Sequence, residues 1–251
     1  MKKNEKKEES KISKKNIIIV ILVAVITLLA LASIITIYNN KNSDALMFKE
    51  EYESLNGTTR EKDGKTIRSI TIPKNNPMVY SDADEIVDMI NNKETFVVYF
   101  GFNDCPWCRS VITTLIDVAN DEGLDKIYYV DVKEIRGMKS VAEDGSIKTD
   151  IKGTKGYYKL LEKLDGLLSD YTLMDKDGNQ VLAGEKRIYA PNVVAIVNGK
   201  AEKLESGISD KQTDGYMKLT EEMKKETYDK FKCLIKCVTQ SNKSCSPKSG
   251  C

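Results

Sequence analysis

The chain has 251 residues, 41% of them apolar and 31% charged, with a formal net charge of +1, a globular composition long enough for one or two domains. Lysines and acidic residues are interleaved throughout, so there is no clustered basic face of the kind a nucleic-acid binder presents. Histidine is absent, which excludes Cys-His zinc sites, Ser-His and Cys-His hydrolytic dyads and any histidine-ligated metal. Chemistry must rest on cysteine, carboxylate, lysine or tyrosine.

From Ile17 to Ile37 the chain reads IIIVILVAVITLLALASIITI, 21 residues without a charge. At about 1.5 Å per residue this matches the ~30 Å core of a bilayer, and a transmembrane helix is expected. Seven lysines lie in residues 1–16, whereas YNNKNSDALMF after the run carries one lysine and one aspartate. That asymmetry predicts a cytoplasmic N-terminus and an extracytoplasmic remainder. Ala30-Leu31-Ala32 has the small-x-small form of a cleavage site, but Ile34, Ile35 and Ile37 continue the apolar run where a cleavage region turns polar, so a retained anchor is preferred. All six cysteines then lie outside, where disulfides persist.

Residues 38–65 are polar and read as a stalk or lead-in, with LMFKEEYESLNG as a short helix candidate. Thr66–Ile72, TIRSITI, alternates as a strand does, and Pro73 and Pro77 punctuate the next few residues. SDADEIVDMINN predicts a short helix capped by Ser81, with Ile86, Val87 and Ile90 on one face. TFVVYFGF (95–102) is a continuous apolar run typical of a strand buried on both sides, and it leads into CPWC, Cys105 to Cys108. Val111, Ile112, Leu115, Ile116, Val118 and Ala119 then recur at helical spacing, and KIYYVDV (126–132) reads as a second buried strand, completing a parallel βαβ unit.

Residues 134–155 are polar and glycine-spaced, a surface loop by composition, and Tyr157 to Leu168 follow helical intervals. DKDGN is a turn between short apolar pieces. It is not a calcium loop, since the sixth position is Gln180 and the twelfth Lys186. Val193–Val197, the turn Asn198-Gly199 and Lys203-Leu204-Glu205 predict a hairpin, and Tyr216 to Val238 a long amphipathic helix.

A bare C-x-x-C serves zinc ribbons and redox dithiols alike. Without histidine, a zinc site would have to borrow the C-terminal cysteines Cys233, Cys237, Cys245 and Cys251, whose spacing is not that of a ribbon, so no metal is expected. A plain structural disulfide at Cys105 and Cys108 is the other alternative.

The order of parts, a buried strand into CPWC at a helix start, KIYYVDV, then APNVVAIVNGK and a terminal helix, resembles the thioredoxin superfamily across residues 66–238. The anchored form and the YFGFNDCPWCR run are similar to thioredoxin-like proteins labelled bacteriocin transport accessory proteins. The resemblance implies an α/β thioredoxin-like fold, a mixed sheet flanked by helices, with an insertion at about 133–186 before the strand that follows Pro191. It also implies that Pro191 is cis and faces the cysteines. Two departures stand out: Tyr99 occupies the place of a buried aspartate six residues before the first cysteine, and the motif is CPWC rather than CGPC.

A cysteine at a helix N-terminus gains from unsatisfied N–H groups and the macrodipole, which favour thiolate. Cys105 is therefore expected to be the exposed nucleophile and Cys108 the resolving thiol, with Arg109 favouring the thiolate and Asp104 opposing it. Trp107 is expected to be an exposed apolar platform or else a partly buried packing residue, and Pro191 to position the substrate. For the tail, residues 239–251, a nested pair of staples, Cys233 with Cys251 and Cys237 with Cys245, is preferred to an electron shuttle. The function expected is thiol-disulfide exchange with protein thiols or disulfides, recycled by a redox partner that can itself be membrane-embedded, with no organic cofactor. A peptide-binding or secretion-accessory module without turnover is the alternative.

Overall fold

The computed structural model describes residues 14–240, without the side chains of 14–16 and 36–42. It divides into two units, residues 1–43 and 44–251. Helix α1 (Lys14–Glu53) begins in the first and ends in the second. Its apolar window, Ile17–Ile35, has a mean hydropathy of 3.3 and is long and apolar enough to cross a membrane. The side chains of 17–35 are exposed.

The second unit is a mixed α/β structure around a five-stranded sheet in the order β1-β3-β2-β8-β9. Strands β1 (Met78–Tyr80), β3 (Ile127–Asp131) and β2 (Phe96–Gly101) run parallel, and β8 (Asn192–Val197) and β9 (Lys200–Glu205) complete it antiparallel. Every residue of β2 is buried, which explains its unbroken apolar run: a central strand covered on both faces has no polar side. Asn198 (φ 52°) and Gly199 (φ 73°) turn the β8-β9 hairpin in the left-handed conformation that asparagine and glycine adopt most readily.

Helices flank the sheet. α2 (Ala83–Asn91) packs with α4 (Lys155–Leu164), and α3 (Pro106–Asp121) packs with α5 (Glu221–Thr239). The cap of α2 is Asp82, which accepts from Glu85 N (2.9 Å), rather than Ser81, whose hydroxyl donates to the Glu85 side chain. α5 starts later than its periodicity suggests because Thr220 caps it by accepting from Met223 N (3.2 Å), with Glu221 and Glu222 in the first turn.

Of the two readings for the lead-in, residues 44–53 take the ordered, helical one: Phe48 and Tyr52 are fully buried, their rings 4.9 Å and 6.3 Å from that of Tyr129. Two expectations are corrected. Thr66–Ile72 forms only an isolated bridge, Thr59 to Thr66, although Ile67, Ile70 and Ile72 are buried; β1 occupies the sheet edge instead. The polar segment 134–155 is a hairpin, β4 (Met138–Val141) with β5 (Ile147–Ile151). It is followed by α4 and a second hairpin, β6 (Ser169–Met174) with β7 (Gln180–Arg187). These ladders satisfy their backbone groups with little apolar content. Val141 packs on a small separate core of Tyr171, Leu173 and Ala183.

Candidate functional site: a buried dithiol facing a cis-proline

The sheet register assembles the site. Because β2 runs antiparallel to β8 with Phe100 opposite Asn192, the chain leaving β2 toward Cys105 meets the chain entering β8 from Pro191. The Ala190-Pro191 peptide is cis, and the Cys105 thiol donates to the Ala190 carbonyl at 3.5 Å. Cys105, Cys108 and Pro191, separate in sequence, are thus brought together.

Cys105 is the N-cap of α3, its sulfur accepting from Cys108 N (3.3 Å), and Pro106 holds the first helical position, where no donor is lost. Both thiols are free. Cys105 is held below the ordinary thiol value, first by the neighbouring Cys108 thiol, then by the Cys108 and Trp107 backbone N–H groups and by the Arg136 charge. Cys108 is fully buried and pushed well above that value, first by burial and then by the neighbouring Cys105. The two sulfurs are therefore unequal: the first ionises readily and the second keeps its proton.

The cation that assists Cys105 is Arg136, whose guanidinium also lies over the Phe102 ring at 5.0 Å. It is not Arg109. That side chain is 1% exposed and turns away from Cys105, donating to the carbonyls of Arg68 and Tyr52 (both 2.8 Å) and Asn103 (3.0 Å) and to Asn56 Oδ1 (2.6 Å). Asp104 pairs with Lys133 (3.1 Å) and Arg60 (3.8 Å).

Nor does Cys105 stand open to solvent. It is only 4% exposed: its sulfur meets the Ala190 carbonyl, and the loop 206–220 packs on the first turn of α3. There Gly215 lies so close to Pro106 that a Cβ would sit 2.9 Å from the proline Cβ, and Gln212 meets the Ser110 hydroxyl (3.4 Å). Trp107 is half-buried and packs against the core rather than standing as an exposed platform.

Behind Cys108 stands Tyr99, fully buried, its hydroxyl 3.0 Å from that of Tyr52. The sequence marked Tyr99 only as a departure and did not flag Tyr52 or Arg136. A tyrosine in a run of buried strand residues and an arginine in a polar loop carry no local signal.

In the tail, Cys233 is a free thiol 3.1 Å from Lys203 Nζ, so its expected bond to Cys251 is absent. Cys237 is disulfide-bonded. Cys245 and Cys251 lie outside the described residues. Neither protein-family models nor curated proteins give a match to this chain.

Proposed function

We propose that the chain is a membrane-anchored thiol-disulfide oxidoreductase with a thioredoxin-like domain on the extracytoplasmic side. The single observation that carries this is the placement of the two sulfurs: Cys105 caps α3, accepting from Cys108 N and touching the Ala190 carbonyl, one helical turn before a fully buried Cys108. The sheet order, with two parallel neighbours of β2 and an antiparallel β8-β9 hairpin, is consistent with that domain class. A structural staple would need no such asymmetry.

In the exchange, the Cys105 thiolate attacks a substrate disulfide; one substrate sulfur leaves as a thiolate and the other remains in a mixed disulfide with Cys105. Cys108 then loses its proton and attacks the Cys105 sulfur. The second substrate sulfur departs and takes up a proton, and the dithiol, two electrons poorer, becomes a disulfide. The same steps reversed oxidise a substrate dithiol.

The test is a Cys108→Ser chain, displayed on cells and recovered under non-reducing conditions. Covalently linked partners that vanish in Cys105→Ser support exchange. Noncovalent capture indifferent to both cysteines would instead mean a peptide-binding module.

A further inference from the structure

Arg136 lies just past the end of β3, where the sheet register carries it to the approach of the dithiol. Gly101, the last residue of β2, is paired with Asp131, the last of β3. Gly101 O then accepts Val132 N–H (3.2 Å), and Val132 O accepts Arg136 N–H (3.3 Å). This turn brings the Arg136 guanidinium over the Phe102 ring, 5.0 Å from its centroid. Phe102 also belongs to the dithiol loop, since its carbonyl accepts Cys105 N–H (3.3 Å). One residue thus ties the nucleophile to its backbone and the cation to its ring.

The neighbouring cations are engaged. Lys133 meets Asp104 (3.1 Å), Arg60 meets Asp63 (3.1 Å) and Asp104 (3.8 Å), and Arg187 donates to Gly137 O (2.9 Å). Among the described residues the Arg136 guanidinium has no carboxylate or carbonyl acceptor, although the residue is half-buried. Burial penalises a cation so placed and draws it below its usual value, a penalty that a paired anion offsets. A guanidinium resting on an aromatic face keeps its in-plane N–H fork free, and that fork matches a carboxylate, which it binds through two parallel hydrogen bonds. A thiolate at Cys105 is a single acceptor atom and leaves the rest of the fork open.

We propose that Arg136 is a specificity-determining residue that binds a carboxylate of the substrate, so that the preferred substrates are polypeptide disulfides or dithiols with an aspartate or glutamate next to the reacting cysteine. The proposal rests on the dithiol exchange proposed above and adds no bond to it: the carboxylate is bound and released unchanged while the sulfurs exchange. Asp104, which adjoins Cys105 in sequence, does not reverse the local sign, because Lys133 and Arg60 both pair with it.

The experiment mixes the reduced full chain, in detergent micelles, with the disulfide dimers of three end-blocked peptides that differ only in the residue beside the cysteine, Glu, Gln or Lys. Acid quench and chromatography follow the peptide thiol released. Rates for the parent are expected to run Glu above Gln above Lys, with Glu over Gln by about three- to tenfold, as a charge-assisted pair at a half-buried site implies. Arg136→Gln should bring that ratio to about one, and Arg136→Glu should place Lys above Glu, since the discrimination is a difference between paired and unpaired or opposed charges. A weaker thiolate at Cys105 slows all three peptides alike and cancels in the ratio. The order among peptides in the parent needs no variant, so the test stands even where a variant does not fold. A parent ratio near one, or a Glu preference that survives in Arg136→Gln, overturns the carboxylate site and leaves exchange intact. No reaction with any of the peptides overturns exchange itself, and the site with it.

Discussion

Replacing Arg109 with leucine keeps a good helix former in α3 and removes every donor that ties residues 52–68 to the dithiol helix. Of its four acceptors, Tyr52 O still receives Leu55 N–H (3.4 Å) and Asn56 Oδ1 still receives Ile70 N–H (3.0 Å). The Arg68 and Asn103 carbonyls retain no other donor among the described residues. Two orphaned acceptors at about 1–3 kcal/mol each are offset in part by relief of a buried cation that has no carboxylate partner. A net loss of about 2–4 kcal/mol is expected, and for a unit of this size that lowers the melting temperature by roughly 4–16 °C. Thermal unfolding followed by circular dichroism measures it. Because the guanidinium points away from Cys105, the pH dependence of Cys105 alkylation should not move. A melting temperature within about 2 °C of the parent, or a shifted alkylation midpoint, would refute the assignment of Arg109 as a clamp.

The Cys105 thiolate should form below the ordinary thiol value of about 8.5, seen as iodoacetamide labelling at pH values where an ordinary thiol stays protonated. Removing the Cys108 thiol (Cys108→Ala) should raise that midpoint more than Arg136→Gln does, the latter by less than about one pH unit, in the order of their contributions; the reverse order would contradict the geometry. Gly101→Ala should cost about 1–3 kcal/mol through overpacking against the Tyr99 phenol, read from urea unfolding. Glu226, held down to about 2 by Lys230, Ser209 Oγ and Asp210 N, anchors the loop 206–220 on α5. A carboxyl depressed by folding contributes stability above its ordinary value of 4.5 and loses it as pH falls toward 2. Glu226→Gln should therefore be less stable than the parent at neutral pH and converge with it below about pH 3, whereas a gap constant with pH would refute the linkage.

Much of the site was legible because its signals are local. CPWC after a buried run predicts a sulfur at a helix start, since proline at the first helical position and a side-chain acceptor before it are properties of adjacent residues. Asn198-Gly199 marks its hairpin for the same reason. The segment 134–155 was misread because two-stranded ladders outside the main core draw on backbone hydrogen bonds, and polar residues make those as well as apolar ones do. Arg109 was misassigned from proximity along the chain: it follows Cys105 by about one helical turn, but its long side chain reaches the carbonyls of Tyr52 and Arg68 in the lead-in instead. Burial of Cys105 reflects its contact with the Ala190 carbonyl, 85 residues later in the chain.

By itself the sequence determined the apolar span, the dithiol and its helix, the buried strands on either side and the absence of histidine chemistry, because each is written in spacing and composition. The tertiary structure alone decided that Arg136 rather than Arg109 faces Cys105, that Tyr99 and Tyr52 stand behind Cys108, and that the Ala190 carbonyl closes the site. These are contacts between distant segments, and they exist only once β2 pairs with β8 and the end of α1 enters the core.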